Sequence, residues 1–282
     1  MTRARPGSRR CRSSPADPTP VWRLLQTGPR PGAWNMACDE AVLEAVGAKA
    51  SPPTVRFYAW DPPAVTLGRH QADPGVGARA ALDQLGVEWV RRPTGGRLVW
   101  HGPSGEELTY SVVTPIGEPP LAGGLTDAYR RIHEGLAAGL RRLGLQVELA
   151  PRGGGAGRRP SSRLACFAAT VPWEIEAGGR KLLGSAQRRS RAALLQHGSL
   201  PLAGDPAWIP ERVWPGSFIG SSFTTLSAAA GRAVGFAEAV AALRSGLAET
   251  LNVRLAAGVL TDRERAMIRA RSRARLPAAA SA

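Results

Sequence analysis

Three short stretches of this 282-residue chain gather residue types able to do chemistry. The first, Leu164-Ala165-Cys166-Phe167, puts a thiol at the exit of a Gly/Arg/Pro/Ser-rich stretch, 151–163. Nearby cations favour the thiolate, the nucleophilic form of cysteine; the competing reading is a buried, inert thiol. The second is Gly179-Arg180-Lys181-Leu182-Leu183-Gly184-Ser185-Ala186-Gln187-Arg188, continuing into Leu195-Gln196-His197-Gly198-Ser199-Leu200. It places a lysine on a strand-like run whose small residues leave room for a ligand. The third is Arg91-Arg92-Pro93-Thr94-Gly95-Gly96-Arg97-Leu98-Val99-Trp100-His101-Gly102-Pro103. Its two glycines let the backbone approach a ligand closely and turn N–H groups towards it. The arginines around them could pair an anion through both arms of the guanidinium. Alone, the segment also reads as a plain glycine hairpin with solvated arginines.

The lysine stands out by composition. Of 37 basic residues, 35 are Arg and only Lys49 and Lys181 are Lys. A solvated cation drifts to Arg without penalty, whereas a site needing a compact ammonium with three donors does not tolerate the exchange. Chance survival remains the bland reading of either one.

Several other chemistries are excluded. No GxxxxGK[ST] occurs, and the glycines at 153–157 break the GxGxxG spacing because position 158 is Arg. The four histidines (70, 101, 133, 197) lack ligand pairing, and Cys11, Cys38 and Cys166 form neither a CxxC nor an even set. No apolar run can span a bilayer, and the start of the chain lacks the apolar core of a secretory signal, so a cytoplasmic protein is expected. The formal charge of +15 raises nucleic-acid binding. However, residues 1–20 and 261–282 each carry +4 and no aromatic, leaving +7 for residues 21–260. Specific nucleic-acid recognition is therefore not expected; a mildly basic face that meets acidic protein partners fits better.

These segments need a scaffold. Strands are expected at 21–26, 54–60, 64–68, 87–91, 97–101, 107–113, 145–149, 171–177, 180–187, 192–200 and 252–256. Helices are expected at about 32–46, 75–85, 125–143, 236–250 and 261–275. Strands and helices do not alternate regularly, which favours an α+β fold with a mixed β-sheet flanked by helices. Residues 1–20 read as a disordered tail, 21–260 as the catalytic domain and 261–282 as a basic helix and tail; the 151–163 stretch reads as a mobile loop.

At this point the chain resembles the biotin/lipoate protein ligase superfamily, nearest its cysteine-dependent octanoyltransferase branch. The likeness covers about residues 21–260: Asn35-Met36-Ala37-Cys38-Asp39-Glu40-Ala41, the RRPTGGR…H segment, Glu107-Leu108-Thr109-Tyr110-Ser111, Cys166-Phe167 and GRKLLGSAQ…LLQHGS. It implies a class II aminoacyl-tRNA synthetase/biotin synthetase-like catalytic domain. Cys166 stands 15 positions before Lys181, as the acyl-carrying cysteine and its lysine partner do in that branch. Two departures are visible: Arg97 replaces the last glycine of the usual GGG, and His101-Gly102 replaces His-Asp, with a longer turn before Glu107.

The resemblance implies the catalytic pair Cys166 and Lys181. It also implies a substrate channel built from Arg92, Thr94, Gly95, Gly96, Arg97, His101, Gly184, Ser185, Ala186, His197 and Gly198, with His101 and His197 either ordering its walls or serving as structural imidazoles. The implied donor is octanoyl-acyl carrier protein. The implied acceptors are lipoyl domains of 2-oxoacid dehydrogenases and the glycine-cleavage H protein, with no cofactor. An ATP-dependent lipoate ligase, which would bring ATP and Mg and use Arg92 or Arg97 for a phosphate, is the alternative; an amidotransferase moving lipoyl or octanoyl groups between proteins is another.

Overall fold

A computed structural model describes residues 19–151, 172–215 and 223–275. Strand β1 (Val21–Arg30) leads into helix α1 (Gly32–Gly47), and β2 (Thr54–Trp60) and β3 (Ala64–Leu67) follow. Next come α2 (Val76–Gln84), β4 (Glu88–Arg91), β5 (Val99–His101) and β6 (Glu107–Pro115). Then α3 (Leu125–Arg141), β7 (Val147–Leu149), β8 (Ile175–Ala177), β9 (Arg180–Arg189) and β10 (Ala193–Pro201). The chain continues through α4 (Trp208–Val213), α5 (Leu226–Ala230), α6 (Phe236–Leu251), β11 (Arg254–Ala257) and α7 (Asp262–Arg275).

Eight strands form one mixed sheet in the order β11-β1-β2-β6-β10-β9-β8-β7, parallel at β11-β1-β2 and antiparallel beyond. A smaller sheet, β4-β3-β5, lies beside it. The expected α+β class with a mixed sheet is what the chain adopts. The short α4 and α5 were not anticipated, because five or six residues give too little periodicity to register.

Side chains alternate across the large sheet with a period of two. Trp22, Leu24, Val55, Phe57, Leu108, Tyr110 and Val112 face α3 and α6 in one apolar core. Leu25, Val113, Ala193 and Leu195 face α1 and α7 in another. Helices α3 and α6 approach closely because glycines line the contact: a Cβ on Gly139 would stand 2.6 Å from the Ala242 carbonyl oxygen. Helix α1 is buried on most of its circumference. Its first N–H groups, on Gly32 and Ala33, donate to the Glu88 carboxylate of β4 at 2.7 and 3.0 Å. That interaction caps the helix and satisfies its dipole from the neighbouring sheet.

Helix α7 lies against α1. Its Glu264 carboxylate, fully buried, takes both arms of Arg23 from β1 at 2.9 and 2.6 Å and the Ser51 hydroxyl at 2.9 Å. Among the described residues no helix is long and apolar enough to cross a membrane.

Candidate active site

The cleft that gathers most of the sequence-selected residues opens where the small sheet meets β2, β6, β9 and β10. With the solvent at its mouth it spans about 350 Å³, and it is lined by Met36, Tyr58, Trp60, Thr66, Arg92, Val99, His101, Thr109, Gly184, Ser185, Ala186, His197, Gly198 and Ser199. Glycine at 198 is required by crowding: a Cβ there would stand 2.4 Å from Ser185 Oγ and 2.6 Å from the Gly184 carbonyl oxygen.

One wall rests on a buried ionic network. Period-two alternation turns Arg56 and Tyr58 of β2, Ser111 of β6 and His197 of β10 to the face where α1 presents Asp39. Asp39 Oδ1 accepts from Arg56 Nη1 at 2.8 Å and Ser111 Oγ at 3.1 Å; Oδ2 accepts from Tyr58 Oη at 2.9 Å and His197 Nδ1 at 3.0 Å. Burial alone would push the Asp39 carboxyl up, but Arg56 and His197 outweigh it and hold it below the usual carboxylate range. Burial lowers His197 in turn, against the pull of Asp39. With Nδ1–H committed to a carboxylate, His197 offers Nε2 to the Thr94 hydroxyl at 2.6 Å.

A second carboxylate–imidazole–threonine chain lies beside the first. His101 Nδ1 donates to Glu107 at 2.8 Å, and its Nε2 faces Thr66 Oγ1 at 2.9 Å. Trp60 stacks on the imidazole with ring centroids 3.9 Å apart. The longer turn after His101-Gly102 thus still delivers a carboxylate to the imidazole, from Glu107.

Arg92 lines the cleft, yet its donors serve the loop. Nε and Nη2 donate to Gly95 O at 3.1 and 2.7 Å, Nη2 also to Arg97 O at 2.6 Å, and Nη1 to Thr66 O and Oγ1 at 3.2 and 3.3 Å. Five N–H groups meet five contacts. Arg91 likewise binds the carbonyls of Gly68 and Gln71, at 2.9 and 2.7 Å. The double arginine braces the 92–97 turn from within. Gly96 has φ +86°, and its carbonyl is so close to Gly68 that a Cβ there would stand 1.9 Å away. Gly96 and Arg97 face an adjoining open hollow with His70, Gln71 and Trp214.

On the other side of β9, Ser185 Oγ contacts His133 Nε2 at 2.8 Å and Tyr110 Oη at 2.7 Å. His133 Nδ1 donates to the Trp173 carbonyl at 2.5 Å. Burial, helped by the charge of Lys181 and opposed by that carbonyl, pushes His133 down to about 4, so the ring is neutral. Lys181 is buried in the same layer, its ammonium 2.8 Å from the Glu174 carboxylate.

The structure therefore brings Arg92, His101, Gly184, Ser185, Ala186, His197 and Gly198 around one cleft. Thr94 stands behind His197, Gly95 and Gly96 form the braced turn, Arg97 faces the next hollow, and Lys181 lies in the layer behind Ser185. Cys166, Cys11, the 1–18 part of the N-terminal tail and most of the 151–163 stretch lie outside the described residues. Cys38 is buried in the α1 core, its thiol pushed up to about 12 by burial. Sequence reasoning missed Asp39, Arg56, Glu107, His133 and Glu174 as members of the site. An arginine inside the otherwise apolar TVRFYAW strand was the available signal, since a buried guanidinium requires a carboxylate partner. Among the described residues, no cluster of three or more His, Cys, Asp or Glu is placed to hold a metal ion.

Comparison with known proteins agrees with this geometry. The lipoyl protein ligase A/B catalytic domain family matches residues 31–248. The octanoyltransferase LipM of Symbiobacterium thermophilum is 44% identical over 257 residues, spanning 86% of this chain and 91% of that protein. The octanoyltransferase LipM of Kyrpidia tusciae is 41% identical, spanning 87% and 92%. Among solved structures, a lipoate-protein ligase A bound with ATP superposes with TM-score 0.70 at 23% identity, covering 90% of this chain and 94% of that one. The bipartite lipoate protein ligase of Thermoplasma acidophilum gives 0.69 at 20% identity, covering 90% and 92%. At such identities these structures share the fold. The chain belongs to the lipoyl protein ligase A/B catalytic domain family.

Proposed function

We propose that this chain is an octanoyltransferase that moves an octanoyl group from acyl carrier protein to a lysine of lipoyl domains through a thioester on Cys166. The observation that carries the reading is the 44% identity to an octanoyltransferase over 86% of the chain. The cleft supports it: an apolar slot walled by Met36, Val99 and Ala186 suits a hydrocarbon chain. Arg92, the residue in the cleft that an ATP-using ligase would turn to a phosphate, has all five N–H groups directed at loop carbonyls and Thr66.

In this reading the Cys166 thiolate attacks the carbonyl of the carrier thioester, the carrier thiol leaves, and an octanoyl-enzyme thioester forms. One thioester replaces another at nearly equal free energy, so no ATP, metal or cofactor enters. The acceptor lysine amine then attacks, an amide forms, and the departing cysteine sulfur takes up the proton released by the amine. Lys181, paired with Glu174 at 2.8 Å in the layer behind Ser185, adds positive charge behind the site that favours the thiolate and the developing oxyanion. The acceptors are lipoyl domains such as those of 2-oxoacid dehydrogenases and the H protein. The basic surface favours acidic carrier and lipoyl domains.

The test is intact-mass spectrometry after mixing the protein with octanoyl-acyl carrier protein and no ATP. A hydroxylamine-labile octanoyl adduct, absent in Cys166→Ala, is expected. An absolute need for ATP, or undiminished product from Cys166→Ala, would replace this reading with a ligase. Offering octanoylated H protein as the only donor separates an amidotransferase.

A further inference from the structure

The side-chain donors that line the cleft can be followed one by one to where their protons go. Tyr58 Oη donates to Asp39 at 2.9 Å. Thr109 Oγ1 receives Trp60 Nε1–H at 2.8 Å and gives its own proton to Glu107 at 2.7 Å. Thr66 Oγ1 is engaged twice, by Arg92 Nη1–H at 3.3 Å and by His101 Nε2 at 2.9 Å, and the same ring's Nδ1 is held by Glu107.

The Ser185 hydroxyl has two neighbours that could take its proton, Tyr110 Oη and His133 Nε2. The Trp173 carbonyl can only accept, so His133 Nδ1 carries the imidazole proton and Nε2 is a lone pair. Ser185 must then donate to His133, and Tyr110 Oη–H donates to Ser185 Oγ. Tyr110 Oη in turn accepts from Gln196 Nε2 at 3.0 Å, and Gln196 Oε1 accepts from Gln187 Nε2 at 2.9 Å. Every bond of this chain runs in one direction, which leaves Ser185 no proton for a ligand.

Ser199 differs from all of these. It lies on β10 opposite Gly184 and Thr109, lines the cleft, and is 4% exposed. Its Oγ is buried with no hydrogen-bond partner among the described residues. A buried hydroxyl without a partner is costly to keep, so its persistence calls for a ligand that satisfies it. A fatty acyl group offers one acceptor only, its carbonyl oxygen.

We propose that Ser199 is the side-chain donor by which the cleft recognises the acyl carbonyl, a role that neither Ser185 nor the threonines can fill. The assignment rests on the acyl-transfer reading and adds to it the contact that distinguishes a thioester from a bare alkyl chain. As the oxyanion develops on that same oxygen, the hydrogen bond strengthens.

The experiment compares two ligands by titration calorimetry in the full chain carrying Cys166→Ala, which prevents turnover. They are S-octanoyl-pantetheine and its thioether analogue S-octyl-pantetheine, which lacks the carbonyl. Without further change, the thioester is expected to bind ~10-fold more tightly, and Ser199→Ala is expected to bring the two within about twofold. Ser199→Ala should also melt at or above the parent temperature, because it removes a hydroxyl that has no partner among the described residues. A preference that survives Ser199→Ala, equal binding of both ligands to the parent, or a preference lost together with a lower melting temperature overturns the assignment alone. Binding of neither ligand overturns the acyl-transfer reading and the assignment with it.

Discussion

The Lys181 ammonium lies 2.8 Å from the Glu174 carboxylate, with both side chains almost wholly buried. A compact ammonium fits this enclosure, and a planar guanidinium with a longer reach does not. Lys181→Arg should therefore keep the charge and still lose most of the transfer activity, at least ~10-fold in kcat, when assayed with octanoyl-acyl carrier protein. Glu174→Gln removes the counter-charge from a buried cation and should destabilise the protein by about 3–5 kcal/mol in chemical denaturation. Wild-type turnover by Lys181→Arg would show that any cation serves at this position.

His133 gives the protein a specific response to acid. Its ordinary value is 6.5 and its folded value about 4, so between those limits the unfolded chain takes up a proton that the folded chain refuses. Stability is thus unaffected above pH 6.5, falls as pH drops from 6.5 to 4, and flattens below. The loss from this one group is on the order of 3 kcal/mol. His197, also lowered by burial, acts in the same direction. Asp39, held below 3.8, contributes stability that is fully present above that value and is lost as pH falls further and the carboxylate is protonated. His133→Gln should flatten the stability-versus-pH curve between pH 6.5 and 4.5; a slope parallel to that of the wild type would remove His133 from this account.

Much of the scaffold could be read from the sequence because its signals are local. The run TVRFYAW is β-branched and aromatic, and the apolar spacing of α3 is helical; both elements formed where expected. Of the Arg92-to-Arg97 segment only Arg92 lines the cleft, beside Gly184, Ser185, Ala186, His197 and Gly198 of the β9–β10 hairpin, while Gly96 and Arg97 face the adjoining hollow. What was not legible depends on pairings distant in sequence. Arg56 could not be matched to Asp39, 17 positions away, until β2 and α1 were placed together. His133 looked idle as one of four unpaired histidines; its partners, Ser185 and the Trp173 carbonyl, are 52 and 40 positions away. The arginines beside the glycines looked like anion binders, yet Arg92 braces its own loop, a choice that only geometry reveals.

The bracing of that loop can be tested at a distance from its arginine. Gly68 lies beneath the Gly96 carbonyl, and a Cβ there would stand 1.9 Å from the oxygen. Gly68→Ala must displace the 94–97 turn. It should cost about 1–3 kcal/mol of stability and reduce transfer activity at least ~10-fold. Unchanged kinetics would mean that the turn position is immaterial to catalysis.

Helix α7 should prove inseparable from the sheet. Glu264 neutralises buried Arg23 with two hydrogen bonds, and Arg275 and Arg271 pair with Glu40 and Glu44 of α1. Deleting 261–282 would strand the Arg23 guanidinium inside the protein. Glu264→Ala alone should cost about 3–5 kcal/mol. A truncated chain ending at residue 260 that melts with the full-length protein would refute this.

The scarcity of lysine has a further consequence for an enzyme whose product is an acylated lysine. Of its two lysines, Lys181 is sealed in the interior and Lys49, with a side chain 79% exposed, pairs loosely with Glu118. A surface cationic almost entirely through guanidinium groups can attract acidic partners without offering them amines. Such a protein is nearly blind to its own reaction: octanoyl groups that escape the acceptor find one side-chain amine on the enzyme to modify. The same property makes Lys49 the one exposed side-chain amine for amine-directed labels, leaving the cleft untouched.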